Sequence, residues 1–177
     1  MMAQVEVRTI RETLLRGDAN YCQRCAAELV DKQIEGKTRG YCLSCRFVVY
    51  LDPKVAAAVL VSDGDRLVMV KRGVEPQMGC WAFPSGYVDR GEVVEHAAIR
   101  EVKEETGLDI ELDEFVGLYS SEGNPVILAV FSAHPTGGQM QAGHDALETE
   151  WFATNNLPDL PFPHDQKILI DWRRQSS

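Results

Sequence analysis

Apolar and polar positions fall into short, clearly bounded blocks along most of this chain. Residues 55–61 are continuously apolar, which predicts a strand covered on both faces. Ser62-Asp63-Gly64-Asp65 then indicates a turn, and residues 66–71 are typical of the partner strand of a hairpin. Further strands are predicted over residues 110–118, 126–131 and 151–152.

Helical periodicity appears in two later segments. Residues 93–106 predict a helix that ends at Gly107, and residues 165–174 predict a second, terminal helix. The residues expected to face a core are Val94, Ala97, Ala98 and Val102 in the first helix and Ile168, Leu169 and Trp172 in the second. The segment between the hairpin and the first helix, residues 72–86, contains glycine and proline and is predicted to be a loop. Strands interleaved with two helices indicate an α/β fold built on a mixed sheet.

Five cysteines are present, and four of them form two Cys-x-x-Cys pairs separated by sixteen residues, Cys22/Cys25 and Cys42/Cys45. Paired short spacings of this kind predict thiolate ligands for one tetrahedral Zn²⁺ rather than disulfides. The apolar runs after each pair suggest small strands, and a segment of this size cannot bury much core without a metal. Four thiolates leave no open coordination position, so the metal site is expected to be structural.

The chain length of 177 residues accommodates one ordinary domain and a small appendage. We expect a leader over residues 1–20, with a short amphipathic helix through Ile10, Leu14 and Leu15. A zinc ribbon is expected over residues 21–50, and the main domain over residues 54–177.

The formal net charge of −9 argues against nucleic acid and anionic lipid as partners. The chain contains no apolar run of about 20 residues, and its charged opening lacks the hydrophobic stretch of a signal peptide. These features predict a cytoplasmic protein that has no membrane segment.

Three glutamates, Glu101, Glu104 and Glu105, share one face of the first predicted helix, because they are related by three and four residues. Their mutual repulsion costs stability unless a divalent cation occupies this face, and oxygen ligands suit Mg²⁺ or Mn²⁺. The alternative is a solvated acidic helix face, since glutamate is a good helix former.

A longer pattern surrounds these glutamates: a glycine, five residues, a glutamate, seven residues, and then Arg-Glu-hydrophobic-x-Glu-Glu-x-Gly-hydrophobic. The residues that fill its defined positions are Gly86, Glu92, Arg100, Glu101, Val102, Glu104, Glu105, Gly107 and Leu108. This pattern resembles the Nudix box, and the resemblance extends over residues 54–160, including Trp81-x-Phe83-Pro84 before the box. Two local departures are Ser85, where family members usually have glycine, and Asp89, which replaces the usual glutamate.

The resemblance implies an α/β/α sandwich and an enzyme that uses Mg²⁺ to hydrolyse pyrophosphate bonds. The metal-binding residues that it implies are Glu92, Glu101, Glu104, Glu105 and the backbone carbonyl of Ser85. Arg100 would orient a neighbouring glutamate through a bidentate ion pair. The general base would be Glu101 or a carboxylate outside the box, where the candidates are Asp145, Glu150 and, with some preference, Glu148.

A zinc ribbon before a Nudix domain is similar to two groups, NADH pyrophosphatases and smaller ADP-ribose/FAD pyrophosphatases. The Ser-Gln-Pro-Trp-Pro-Phe-Pro-x-Ser signature of the first group is missing, so the second is favoured. The expected substrate is a nucleoside diphosphate linked to another moiety, contacted by Arg72, Trp81 and Phe83, although core packing is the ordinary alternative for both rings. The family context also implies a homodimer. The rival interpretation is a nucleotide-sensing regulatory module that uses the ribbon as an interaction element.

Overall fold

The computed structural model describes residues 19–175 and divides the chain into two compact units, one ending at Pro53 and one beginning at Lys54. The amphipathic helix expected through Ile10, Leu14 and Leu15 lies outside the described residues. No helix within residues 19–175 is long and apolar enough to cross a membrane. Each unit has its own buried apolar cluster, so each is described separately.

The first unit is built on a hairpin. β1 (Leu29–Ile34) and β2 (Lys37–Cys42) pair antiparallel in continuous register. The connecting residues Glu35 and Gly36 have positive φ angles of 53° and 74°, as in a tight hairpin turn. The buried cluster described for this unit is small and consists of Cys22, Leu29, Cys42 and Val49.

The expectation of a strand after each cysteine pair is wrong for the second pair. β1 follows the first pair, but β2 precedes the second pair and ends at Cys42. Beyond Cys45 the chain turns back along β2 and makes a single bridge, Tyr41↔Val48. The apolar residues there serve the small core rather than a new strand, because Val49 is buried and its N–H donates to the carbonyl of Gly40 at 2.8 Å.

The second unit is a seven-stranded sheet with two helices. Its elements are β3 (Lys54–Asp63), β4 (Arg66–Arg72), β5 (Trp81–Ala82), β6 (Ser85–Tyr87), α1 (Val94–Thr106), β7 (Leu108–Tyr119), β8 (Val126–Gly138), β9 (Ala146–Ala153) and α2 (Asp165–Gln175). The strand order is β5-β4-β3-β8-β7, with β6 paired to β3 and β9 paired to β4. β3 and β8 run parallel and the other pairs run antiparallel, so the sheet is mixed.

The two helices belong to two different buried clusters, which β3 separates. α1 contributes Ala97, Ala98 and Val102 to one cluster, and α2 contributes Ile168, Leu169 and Trp172 to the other. Successive residues of β3 alternate between the clusters, as in a strand covered on both faces: Ala57, Val59 and Val61 in the first, Ala58 and Leu60 in the second. The predicted α/β/α sandwich with a mixed sheet is therefore confirmed.

Two parts of the sheet differ from the prediction. The segment expected to be a loop contains β5 and β6, which are too short to show an alternating pattern. β9 has eight residues, whereas the sequence predicted a strand only at Trp151 and Phe152. The preceding Glu148 and Glu150 hide the alternation, because charged residues on one face make the segment look like a loop.

Candidate active site and cysteine centre

Helix α1 carries the predicted acidic face. Its buried side chains, Ala97, Ala98, Val102 and Thr106, fix it to the sheet. Gly107 ends it in the left-handed region, with φ of 73° and its N–H bonded to the carbonyl of Lys103. The side chain of Glu101 is 14% exposed and that of Glu104 is 59% exposed. The acidic face therefore runs from a nearly enclosed position out to solvent.

Arg100 joins three of the carboxylates. Its Nε and Nη2 atoms donate to the two oxygens of Glu92 at 2.8 and 2.9 Å, a bidentate pair. Its Nη1 atom donates to Glu101 at 2.7 Å and to Glu104 at 3.1 Å, and Nη2 also reaches the carbonyl oxygen of Tyr87. Hydrogen bonds from Arg100 lower the pKa of Glu92 to about 2. The repulsion that the sequence predicted is thus relieved in part by this arginine.

Glu101 occupies space that only glycine leaves open. A Cβ atom at Gly86 would overlap the carboxyl group of Glu101. Gly86 is held in place because β6 pairs with β3 at Ala57↔Gly86. Burial raises the pKa of Glu101 even though Arg100 donates to it. Strand β6 and the middle of α1 are therefore in direct contact.

Glu105 lies beside β6, the strand that contains Gly86. The N–H of Ser85 donates to its Oε2 atom at 2.8 Å. Burial raises the pKa of Glu105 to about 8 against this hydrogen bond, and the neighbouring negative charge of Glu101 adds to the rise. An enclosed carboxyl group beside a second carboxylate is stabilised as an anion by a bound cation, and oxygen donors suit Mg²⁺ or Mn²⁺. The residues present therefore fit a divalent metal ion.

The acidic residues near β9 are not equivalent. Glu148 lies in register with Lys71 and accepts a hydrogen bond from its Nζ atom at 2.7 Å. Strand alternation places Glu148 on the same face as Phe152, which packs against the α2 cluster. Asp145 precedes β9, and its charge helps raise the pKa of Glu105. Asp145 therefore lies within the electrostatic range of Glu105, whereas Glu148 faces the α2 side of the sheet.

Three residues were expected to contact substrate, and they occupy different environments. Arg72 is anchored through Nε to the carbonyl of Pro76 at 2.8 Å, and its positive charge acts to lower the pKa of Glu105. Trp81 is partly buried, edge-on to Phe152 with ring centroids 4.9 Å apart. Phe83 is 4% exposed inside the α2 cluster. Its ring is enclosed by the core and cannot stack on a base, so that expectation is corrected.

The four paired cysteines meet in the first unit. Their sulfur atoms all lie within 4.8 Å of one another. Each pair is formed by the same turn: the N–H of Ala26 donates to the carbonyl of Cys22 at 2.8 Å, and the N–H of Arg46 donates to that of Cys42 at 2.9 Å. Ala26 and Arg46 share positive φ angles of 59° and 61°. Two copies of one turn therefore point four sulfurs at a common centre.

The thiols in this cluster suit a metal ion. All four are free rather than joined in disulfides. The backbone N–H of Cys45 lowers the pKa of the Cys42 thiol to about 7, which favours the thiolate that binds metal. The fifth cysteine, Cys80, lies outside the cluster. A soft, four-sulfur donor set fits tetrahedral Zn²⁺.

The sequence interpretation missed the loop over residues 139–145, which connects β8 to β9. The N–H groups of Gln141 and Gly143 donate to the carbonyls of Thr106 and Glu105, at the end of α1. Three glycines in and beside this loop, Gly137, Gly138 and Gly143, were the available signal. Glycines close together in a segment without a hairpin pattern indicate a close backbone approach.

Comparison with known proteins identifies relatives whose names agree with the chemistry of the site. The chain is 42% identical over 133 residues to a Methanocaldococcus jannaschii protein named ADP-ribose pyrophosphatase, covering 73% of this chain and 78% of that protein. It is 31% identical over 145 residues to a Stutzerimonas stutzeri protein named NAD-capped RNA hydrolase NudC, covering 80% of this chain but only 50% of that protein.

The fold and the family model agree with these relatives. The crystal structure of a NUDIX hydrolase from Nitrosomonas europaea has a TM-score of 0.82 and 25% identity, covering 90% of this chain and 94% of that chain. A model of the NUDIX domain matches residues 52–173, well over half of the chain and including every box residue. The chain therefore belongs to the Nudix family of hydrolases.

Proposed function

We propose that this chain hydrolyses the pyrophosphate bond of a nucleoside diphosphate linked to another moiety, of the ADP-ribose, FAD or NADH type, with Mg²⁺ or Mn²⁺ as cofactor. The observation that carries the proposal is that Glu101 and Glu105 both lie against β6, at Gly86 and Ser85. Arg72 is close enough for its positive charge to act on Glu105. Carboxylates bind a hard divalent cation and arginine binds phosphate. The relative named ADP-ribose pyrophosphatase supports this substrate class.

Within this proposal, Glu101, Glu104, Glu105 and the carbonyl of Ser85 hold the metal ion. A divalent cation bound there supplies charge neutralisation of the pyrophosphate and activation of a water molecule for attack on phosphorus. Glu92 supports Arg100 instead of binding metal directly, because both of its oxygens are bonded to that arginine. Arg100 in turn orients Glu101 and Glu104.

The proton acceptor is assigned to Glu101, with Asp145 as its rival from outside the box. Glu148 is set aside because strand alternation places it on the face of β9 that packs against the α2 cluster, away from α1. Comparing the variants Glu101→Gln and Asp145→Asn over a range of Mg²⁺ concentrations and pH separates the two assignments. Loss of the base lowers kcat and removes the acidic limb of the pH–rate profile, whereas loss of a metal ligand raises the Mg²⁺ concentration required for half-maximal activity.

Substrate contacts are assigned to Arg72 and Trp81. Arg72 has its Nε bonded to Pro76 and its guanidinium over the ring of Phe162, 5.4 Å from the centroid. This anchoring pre-organises the guanidinium to meet a phosphate group with little loss of side-chain entropy. Trp81 offers the edge of a partly buried ring, with the Nζ atom of Lys71 5.8 Å from its centroid.

The cysteine cluster is assigned to one structural Zn²⁺, held by Cys22, Cys25, Cys42 and Cys45. The convergence of four free sulfurs supports this assignment. Reduced, metal-ligating cysteines also support a cytoplasmic location. We further propose a homodimer, and size-exclusion chromatography with light scattering tests it.

The direct test incubates the purified protein with Mg²⁺ and a panel of ADP-ribose, FAD and NADH. The expected products are a nucleoside monophosphate and a phosphorylated remainder. Glu105→Gln is the inactive variant, and Glu111→Gln, an exposed change on β7, is the matched control expected to retain full activity. Absence of cleavage of every compound by wild type, or equal activity of wild type and Glu105→Gln, contradicts the proposal.

A further inference from the structure

The loop over residues 139–145, which we call the capping loop, closes over the C-terminal end of α1. Gln141 donates its N–H to the carbonyl of Thr106 at 2.9 Å, and Gly143 donates its N–H to the carbonyl of Glu105 at 3.1 Å. The last carbonyls of a helix have no donor within the helix, so their partners come from elsewhere. Here the partners come from the capping loop, at the turn that carries Glu104 and Glu105.

The capping loop packs tightly against the end of α1. A Cβ atom at Gly143 would overlap the carbonyl oxygen of Glu104, and one at Gly107 would overlap the carbonyl oxygen of Gln139. Both overlaps involve backbone atoms, which cannot rotate away as a flexible side chain can. The capping loop and the end of α1 therefore pack backbone against backbone and are joined by two hydrogen bonds, so a side chain at Gly143 would push them apart.

The far end of the capping loop is fastened to β4. Gly73 follows Arg72 directly in the chain, and its N–H donates to the carbonyl of Asp145 at 2.8 Å. A Cβ atom at Gly73 would lie 3.0 Å from that carbonyl oxygen, which is already tight. The capping loop thus spans from the carboxylate-bearing turn of α1 to the strand end that carries Arg72.

We propose that the capping loop is a positioning element that fixes the carboxylates of α1 relative to Arg72, with Gly143 as its principal positioning residue. The inference rests on the proposed function, in which α1 holds the metal ion and Arg72 the phosphate. Gly143 needs no contact with either, because it acts through the backbone of Glu104 and Glu105. A misplacement of about 1 Å in a catalytic site costs on the order of 100-fold in rate.

The test compares Gly143→Ala with Gly137→Ala, a matched control nearby in sequence. A Cβ atom at Gly137 would meet the Asp109 carboxylate only at 3.6 Å, an ordinary contact, so this variant should behave as wild type. Gly143→Ala should lower kcat about 100-fold and raise the half-saturating Mg²⁺ concentration several-fold. Both quantities are measured well below the melting temperature of the variant. A lower melting temperature with wild-type kcat and Mg²⁺ dependence would leave Gly143 a structural role only and overturn the inference.

Two additions keep the test decisive. If Gly143→Ala does not fold, Gly73→Ala strains the other end of the capping loop, and unchanged kinetics in that variant overturn the inference as well. Mn²⁺ binding followed by electron paramagnetic resonance gives a readout that needs no substrate. Weaker Mn²⁺ binding to Gly143→Ala than to Gly137→Ala supports the positioning role even if no compound is cleaved, whereas inactivity of wild type on the whole panel counts against the proposed function alone.

Discussion

The two units of this chain gather their ligand groups in opposite ways. In residues 19–53, four thiols come from two copies of one backbone turn, around a buried cluster of only a few side chains. In residues 54–175, the carboxylates come from one helix, whose position is set by a sheet with a large buried cluster on each face. The first arrangement has little apolar burial to hold it, and the second has a great deal.

This difference indicates that the size of the buried core determines whether a unit depends on its metal ion to fold. A unit with few buried side chains needs the free energy of metal binding to fold. A unit with a full core is folded before the metal arrives and can hold Mg²⁺ weakly and exchangeably. Variants at the two sites should therefore fail in different ways.

Glu105→Gln should give the largest effect on turnover. The change removes a proposed metal ligand and should lower kcat about 1,000-fold, comparable with the loss of a major electrostatic group in other active sites. The melting temperature should not fall, because burial and Glu101 already disfavour the charged form of Glu105. Steady-state kinetics and metal analysis measure both, and the zinc content should stay at about one ion per chain.

Cys22→Ser should lower the metal content and the stability of the protein rather than act directly on turnover. Removing one of four thiolates should lower the zinc content well below one ion per chain and unfold the first unit at a lower temperature. Cys80→Ser is the control, since Cys80 lies outside the cysteine cluster. Metal analysis and thermal unfolding check the result. Zinc lost from Glu105→Gln but retained in Cys22→Ser would contradict the division between the two units.

The fold was largely predictable because its main elements have strong local signals. The continuous apolar run in β3 and the 3.6-residue pattern of α1 each specify an element without tertiary information. β5 and β6 carry no such signal, because two or three residues acquire strand geometry only by pairing with β4 and β3. Tertiary pairing, rather than local preference, decides segments of that length.

The candidate site was predictable where chemistry follows spacing. Glu101, Glu104 and Glu105 share a helix face for geometric reasons, and the four cysteines were grouped correctly by spacing alone. The relation of Asp145 to Glu105, and of Glu148 to Lys71, depends on the register between β4 and β9. Register over nearly eighty residues of separation is a tertiary property, so the sequence could not rank these carboxylates.

Arg100→Lys should give an intermediate effect. Lysine keeps the charge, but it cannot make the bidentate pair with Glu92 while also bonding Glu101 and Glu104. We expect kcat to fall about 10-fold at saturating Mg²⁺, because the carboxylates lose their fixed orientation. Arg66→Lys, in an exposed pair with Asp63, is the matched control. Equal kinetics for the two variants would show that the Arg100 network plays no part in positioning.

Glu148→Gln should give the smallest effect, and it tests which side of the second unit supplies the chemistry. Glu148 and Lys71 form an exposed ion pair, and such pairs contribute about 0–1 kcal/mol to stability. We therefore expect a change in kcat of less than about twofold and a small decrease in melting temperature. Asp145→Asn is compared alongside, and a loss of about 10-fold or more in kcat there would identify Asp145 rather than Glu101 as the base. Steady-state kinetics on both variants over a range of pH make the comparison. A loss of about 100-fold in Glu148→Gln, with loss of the acidic limb of its pH profile, would place the base on β9 and reverse the ranking drawn from the strand register.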